Sequence, residues 1–305
     1  MKKLLSVLLV AALSSSVFGW EVDTGTEKGE AGGAAAYLKT GVGSRALAMG
    51  GAFTAVANDA SAAYWNPAGI ANLEKNQVAL TYTAMSLDRT YNFLSFVMPK
   101  KLSVFDGIGV SVINAGVSDI QGYDATDTKT NTFKETNIAL LLSVAKKVDD
   151  EVSVGANLKI ISSKLDTAAA FGQGLDLSAL VKASDKISIG LMLQDVYTQV
   201  KWADSESAER VPFSVRTGLS YSIMEKDKLK LTADVEKYAT RKKAKLNFGA
   251  ELNLPYSISL RPGLSDNYLT AGVGLKYDML SLDYAYRADK LNSGDTSQVT
   301  LGFSF

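Results

Sequence analysis

Two short stretches of the 305-residue chain have the residue types and spacing of a binding site. "GVGSRA", Gly41 to Ala46, fits G-x-G-x-x-A, in which glycines let the backbone cradle a pyrophosphate at a helix N-terminus. "DATDTKTN" holds Asp124 and Asp127 at a spacing that could touch calcium. Neither has its proper context. The glycines follow "EKGEAGGAAAYLKT", which is no buried strand, and no alternation of strands and helices comes after them. The aspartates sit in a polar stretch that reads as a solvated loop. Elsewhere the chain has neither cysteine nor histidine. That removes thiolate and imidazole catalysis, thiolate zinc sites and disulfides. With 32 basic and 32 acidic residues and a pI near 6.4, no basic face for nucleic acid is expected. The reading is therefore not an enzyme, with no cofactor, no metal and no nucleic-acid partner.

The elements around these residues are more informative. "MKKLLSVLLVAALSSSVFG" has a charged start, an apolar core from Leu4 to Leu13 and a small-residue end, the pattern of a secretory signal over residues 1–19. From Gln77 the hydrophobicity turns to period two. In "KISIGLML" Ile187, Ile189, Leu191 and Leu193 alternate with Lys186, Ser188, Gly190 and Met192; "MLSLDYAYRA" and "KLKLTADVEKY" behave alike. Strands with one apolar and one polar face are implied. About fourteen such segments are expected, beginning near Val78, Tyr91, Gly107, Thr136, Val152, Gly174, Ile187, Val211, Leu229, Lys245, Tyr256, Leu269, Leu280 and Thr296. Long polar connections such as "AGVSDIQGYDATDTKTNTFKE" alternate with tight ones such as "KVDD" and "ASDK". Tyr82, Tyr91, Tyr221, Tyr256, Tyr277 and Tyr286 fall near strand ends, where aromatic girdles meet lipid headgroups. The last strand, "TSQVTLGFSF", ends on Phe305, a C-terminal signal of the type read by barrel-assembly machinery. The fold class expected is all-β, a transmembrane antiparallel β-barrel of about fourteen strands over residues 77–305, in the outer membrane of a Gram-negative-type bacterium. A secreted soluble sheet is the alternative.

Residues 20–76 are not strand-like. "SRALAMGGAFTAVAND" spaces Leu47, Met49, Phe53 and Val56 as a small-residue helix would, with Gly50 and Gly51 in its middle. Asn58-Asp59 reads as a cap or turn. Pro67 should hold Asn66 extended, and Gly69 should permit a turn. Because a fourteen-stranded barrel is wider than its own side chains can fill, this partly helical segment is expected to plug it. "YWNPAG", with Tyr64, Trp65, Asn66, Pro67, Ala68 and Gly69, would then turn the chain from plug to wall. The stretch "GVGSRALAMGGAFTAVANDASAAYWNPAGIANLE" resembles the N-terminal segment of the FadL-type outer-membrane transporter superfamily, and within it the PorV/PorQ type. The resemblance lies in the Gly-Ser-Arg-Ala start, the glycine pair, the Ala-rich helix and Asn66-Pro67-Ala68-Gly69. It implies a fourteen-stranded barrel with an N-terminal plug.

The function expected is passive transport of small hydrophobic or amphipathic molecules, met by Trp20, Leu47, Met49, Phe53 and Val56 in an apolar pocket between plug and wall. The alternative is a non-transporting, PorV-like component of a secretion or surface-attachment apparatus with a protein partner. Lys159, Lys182, Arg216, Lys245, Arg261, Lys276 and Arg287, with Asp176, Asp234, Glu236, Glu251 and Asp283, should form a charged ladder on the inward face. Leu191 and Leu282 should face lipid, and Gly190 and Ser281 the lumen.

Overall fold

The computed structural model describes residues 33–100, 102–223, 228–288 and 295–305. The expected signal segment and Trp20 lie outside them. In chain order the strands are β1 Gln77–Ala84, β2 Arg89–Met98, β3 Gly107–Tyr123, β4 Lys129–Lys147, β5 Val152–Leu165, β6 Ala168–Lys182, β7 Ile187–Trp202, β8 Glu209–Arg210, β9 Ser214–Ser222, β10 Leu229–Tyr238, β11 Lys245–Asn253, β12 Ile258–Ser265, β13 Tyr268–Tyr277, β14 Leu280–Arg287 and β15 Thr296–Ser304. β8 is a two-residue bridge on β7. The other fourteen pair antiparallel with their neighbours, and β15 returns to β1 through pairs such as Leu80↔Leu301 and Thr81↔Thr300. Phe305 and Asn76 exchange both backbone hydrogen bonds at the end of this seam. The chain is thus an all-β, closed, fourteen-stranded antiparallel barrel, and closure leaves no unpaired edge around the wall.

The two faces differ as the alternation requires. Leu80, Leu94, Leu158, Leu282 and Leu301 point outward and are about half exposed, from 47% to 52%. Thr81, Ser95, Asn157, Asp176, Asp234 and Gln298 point inward and are buried. Residues 33–76 fill the lumen in short pieces, Ala36–Lys39, Ser44–Ala48, Ala62–Trp65 and Pro67–Asn72. Their apolar side chains pack with Ala79, Phe93, Ile113, Leu141 and Ile161 of the wall into the main core.

Several expectations need correcting. The α-helix in the plug is five residues long, Ser44–Ala48, because Gly50 and Gly51 take φ of 67° and 78° and end it. A Cβ at Gly50 would stand 2.6 Å from the Leu264 carbonyl oxygen, so the wall presses on the same spot. Gly69 lies inside the 3-10 helix Pro67–Asn72 rather than at a turn, and its missing side chain makes room for the Ala57 carbonyl. Tyr91 is 2% exposed and faces the lumen, not a headgroup girdle. The long polar connection after β3 shrinks to residues 124–128, since β3 runs to Tyr123 and β4 starts at Lys129. Its flanks are strand that stands clear of β2 and is mostly polar, with Ile120 paired to Phe133, so that no sustained apolar phase marks them.

Candidate functional site

Each piece of the plug is fixed by wall side chains that sequence alone leaves unpartnered. Arg45 follows the glycines of "GVGS". Its guanidinium donates to both carboxylate oxygens of Glu251, at 2.7 and 2.9 Å, and to Asn58 at 2.6 Å and Asp59 at 3.1 Å. Glu251 also accepts from Arg261, which reaches on to Asp283 at 2.6 Å. Asp234 accepts from the backbone N–H groups of Phe53 and Thr54, at 3.1 and 3.0 Å. Ser44 N–H donates to the Thr300 hydroxyl at 2.8 Å, which ties the plug to the β1–β15 seam. Glycines bring the two backbones together: a Cβ at Gly249 would lie 2.5 Å from the Met49 carbonyl oxygen, and Gly155, Gly190 and Gly263 meet plug backbone closer still.

The Asn-Pro motif lies at the turn end of the barrel, on β4, β5 and β6. Asn66 is extended, as Pro67 demands, with φ −167° and ψ 92°. Its amide nitrogen donates to the carbonyls of Thr54 at 2.8 Å and Ala179 at 3.0 Å, and its side-chain oxygen accepts from the Ala68 N–H. Tyr64 donates to the Leu38 carbonyl and Trp65 to the Val42 carbonyl, each at 2.8 Å. Trp65 also stacks against the Arg216 guanidinium, 4.8 Å from the ring centroid. The six residues fasten plug to plug and plug to wall. Pro67, Ala68 and Gly69 of the motif are themselves buried, and the strands begin only at Gln77.

The charged ladder is realised on the inward face. Lys159, Asp176, Arg216, Asp234, Glu236, Glu251 and Arg261 are buried, while Asp283, Lys245 and Arg287 are partly so. Lys182 and Lys276 sit exposed at the turn end. Lys159 pairs with Asp176 at 2.7 Å and Arg216 with Glu236 at 2.5 Å. Asp195, Lys39 and Arg45 belong to the same system but lie outside the sequence-derived set. Asp195 joins Lys159 and, at 2.5 Å, Lys39 of the plug.

Among the described residues, open space remains at the loop end, above the plug, as two adjoining cavities of about 480 and 520 Å³ that share Tyr37, Thr40, Met85, Arg89 and Glu135. The first is walled by Tyr91, Val117, Val200 and Trp202 as well as Asn137 and Ser163. The second meets Lys39, Arg216, Lys245 and Arg287 with Glu236. Nε and Nη1 of Arg216 are buried there without a hydrogen-bond partner. At the turn end the described cavity is about 50 Å³, between Gly43–Arg45 and the seam strands. Of the sequence-derived ligand residues within the described chain, Leu47 lines the second cavity. Met49, Phe53 and Val56 are sealed in packing, with exposures of 0%, 0% and 6%; Phe53 lies edge-on to Trp65 and under the Arg45 guanidinium. Of the lining residues missed by sequence, Tyr37, Lys39 and Thr40 come from the plug, while Tyr91 and Trp202 come from strand tops, where a tyrosine or tryptophan is indistinguishable by pattern from a girdle aromatic.

The two motifs that suggested chemistry have structural roles. Gly43 caps the short Ser44–Ala48 helix inside the lumen. Asp124 Oδ1 accepts from the Thr126 hydroxyl at 2.7 Å and from the N–H groups of Thr126 and Thr128, and these bonds hold its carboxyl below the usual range. Its acceptor oxygen closes a turn. Among the described residues no group of three or more acidic side chains could hold a metal, and no helix is long and apolar enough to cross a membrane, which does not bear on a barrel.

Solved structures share this architecture. The TodX toluene transporter of Pseudomonas putida aligns with a TM-score of 0.66 at 13% identity, covering 87% of this chain and 99% of that one. The toluene transporter TbuX of Ralstonia pickettii gives 0.62 at 14% identity, with 87% and 97% covered. A FadL homologue of Pseudomonas aeruginosa gives 0.55 at 12% identity, with 86% and 96% covered. At these identities the likeness is one of fold, the FadL type of barrel. No curated protein matches the sequence. The sequence pattern of the uncharacterised protein family UPF0164 matches residues 9–176, more than half of the chain, and the protein belongs to that family.

Proposed function

We propose that the protein is an outer-membrane barrel that passively admits small amphipathic molecules through the vestibule above its plug. The membrane location rests on the outward face, a continuous ring of half-exposed leucine, phenylalanine and tyrosine far larger than the apolar patches soluble proteins expose. The observation that carries the choice of ligand is the two-part vestibule, with Tyr91, Val200 and Trp202 on one side and Lys39, Arg216, Lys245 and Arg287 on the other. Two of the similar structures are toluene transporters. Toluene would offer nothing to the buried Nε and Nη1 of Arg216, whereas a short apolar body with an acidic head would answer both halves.

The test uses the full-length protein in lipid vesicles and a medium-chain carboxylate bearing a fluorophore. Wild-type protein should accelerate uptake of this probe. Val200→Asp should abolish the acceleration, and Lys245→Gln should reduce it several-fold. Uptake no faster than in empty vesicles would refute the proposal.

A second reading is favoured by how firmly the plug is seated. Arg45, Asp234 and Asn66 join it to the wall, and the described turn-end cavity is small. A filled lumen suits a PorV-like component that binds a secretion or surface-attachment protein instead of passing a solute. Failure of uptake together with capture of a defined protein partner by the loop end would select it.

A further inference from the structure

We propose that the connection between β10 and β11 is a binding site for the anionic, phosphate-bearing headgroups of outer-leaflet lipids. It rests on the membrane-spanning reading above. The connection, Ala239 to Ala244, carries Arg241, Lys242 and Lys243 in succession at the loop end of the barrel, and both lysines are exposed. Lys237, just below, is on the outward phase of β10, opposite Val215. Its ammonium turns up and donates to the carbonyls of Arg241 and Lys242, at 2.6 Å each. The loop backbone is therefore tied down on the lipid side, with its carbonyls satisfied by Lys237.

Directly below, the outward phase becomes apolar, with Leu246 paired to Val235 and Phe248 next along β11, both nearly half exposed. Cations stacked above an apolar band are the arrangement found where a wall passes from acyl chains to headgroups. The adjacent turn between β12 and β13 contributes one acid, Asp266, whose N–H bonds the Leu246 carbonyl. Within the connection, Lys237 and the β12–β13 turn, four basic residues stand against one acid, a local excess of positive charge beside the lipid-facing surface, while the connection before β9 on the other flank carries Asp204, Glu206 and Glu209 with Arg210. The lysines and arginines that line the vestibule are on the inward phase and do not belong to it. Anionic phosphate is the chemistry that complements this patch, and lipid is the source that continuity with the apolar band selects.

Native mass spectrometry of the full-length barrel in micelles doped with equal phosphatidylglycerol and phosphatidylcholine tests the site. Wild-type protein should retain phosphatidylglycerol in preference. Lys242→Gln with Lys243→Gln should lower that preference on the order of thirty-fold, since two basic residues near an anionic surface contribute about 1 kcal/mol each. Lys146→Gln with Lys147→Gln, at the opposite rim, should leave it unchanged. Equal retention of the two lipids, equal loss in both double variants, or displacement of phosphatidylglycerol by free heparin at matched charge would overturn the proposal. Folding into phosphatidylcholine vesicles, followed by the heat-resistant compact band, keeps the two readings apart. A barrel that does not insert refutes the membrane reading and this inference together, whereas one that inserts without headgroup preference refutes this inference alone.

Discussion

Asp195 illustrates what a single residue can hide. Counting by twos from Leu191 and Leu193 puts it on the lipid face. In the structure β7 places three residues, Gln194 to Val196, opposite Asp176, and Asp195 takes φ 60°. The bulge turns the carboxylate into the lumen, between Lys159 and the plug's Lys39. Asp195→Leu should therefore leave Lys39 with only the hydrogen bond to the Ser214 hydroxyl described for it, while Lys159 keeps Asp176. Breaking a buried pair on one side costs about 3–5 kcal/mol, and removing Lys39 as well (Lys39→Met) should recover part of that. Urea unfolding in lipid vesicles measures both; a single variant as stable as wild type would show that the ion cluster contributes nothing. Gly190 and Leu191 also behave differently from their pattern. Gly190 faces the lumen as expected, but a side chain there would strike the Thr54 carbonyl, and Leu191 is 4% exposed among Val181 and Val215. A charge at either position should be severe, so this pair does not separate lumen from lipid. Leu282 and Ser281 do. Leu282→Arg should cost about 2–4 kcal/mol in folding into lipid, and Ser281→Arg clearly less, because it enters a polar lumen beside Asp283. Equal losses would mean that the outward face does not meet lipid.

At the scale of elements, the strands were legible and the plug was not. A wall with an apolar outward face and a polar lumen must alternate, so each of the fourteen strands leaves its period in the sequence, most within three residues of its start. β4 and β6 begin seven and six residues before the expected Thr136 and Gly174. Lys129 to Glu135 stands above the apolar band, where no partition is required of it. The inward charges were readable from the same period, but their partners were not, because each pair joins different strands. In the plug, apolar spacing suggested a helix through Met49, Phe53 and Val56. It could not reveal that Gly50 and Gly51 adopt left-handed conformations against β12. Contact between the two backbones now sets the constraint: at Gly263 the wall must lack a Cβ to admit the Met49–Gly50 segment. Gly263→Ala should cost about 1–3 kcal/mol through overpacking, measured as a lowered urea midpoint. Full stability in that variant would mean that the plug can shift off the wall.

For the whole molecule the question is whether plug and wall are separable. The wall closes its own hydrogen-bond ladder from β1 to β15, so its backbone needs nothing from the lumen. Its side chains do need the plug. Removing residues 20–58 deprives Glu251 of Arg45, Asp195 of Lys39 and Asp234 of the Phe53 and Thr54 N–H groups. Arg261 and Lys159 remain to hold Glu251 and Asp195, while Asp234 keeps none of the hydrogen bonds described for it. Water must then enter to solvate Asp234, and the remaining lumen residues lie along its path. The deletion should therefore give a barrel that still folds into vesicles, unfolds at lower urea than wild type, and passes small ions, read as stepwise conductance across a planar bilayer. Removing the charge of Asp234 in the deleted barrel, by Asp234→Asn, should recover part of the stability without closing the pore. Two results would count against this account. A deleted barrel that remains non-conducting would mean that the wall collapses to fill its own lumen. A deleted barrel that never assembles would make the plug part of the folding unit, and the lumen side chains, not the wall's hydrogen bonds, would then be what the fold depends on.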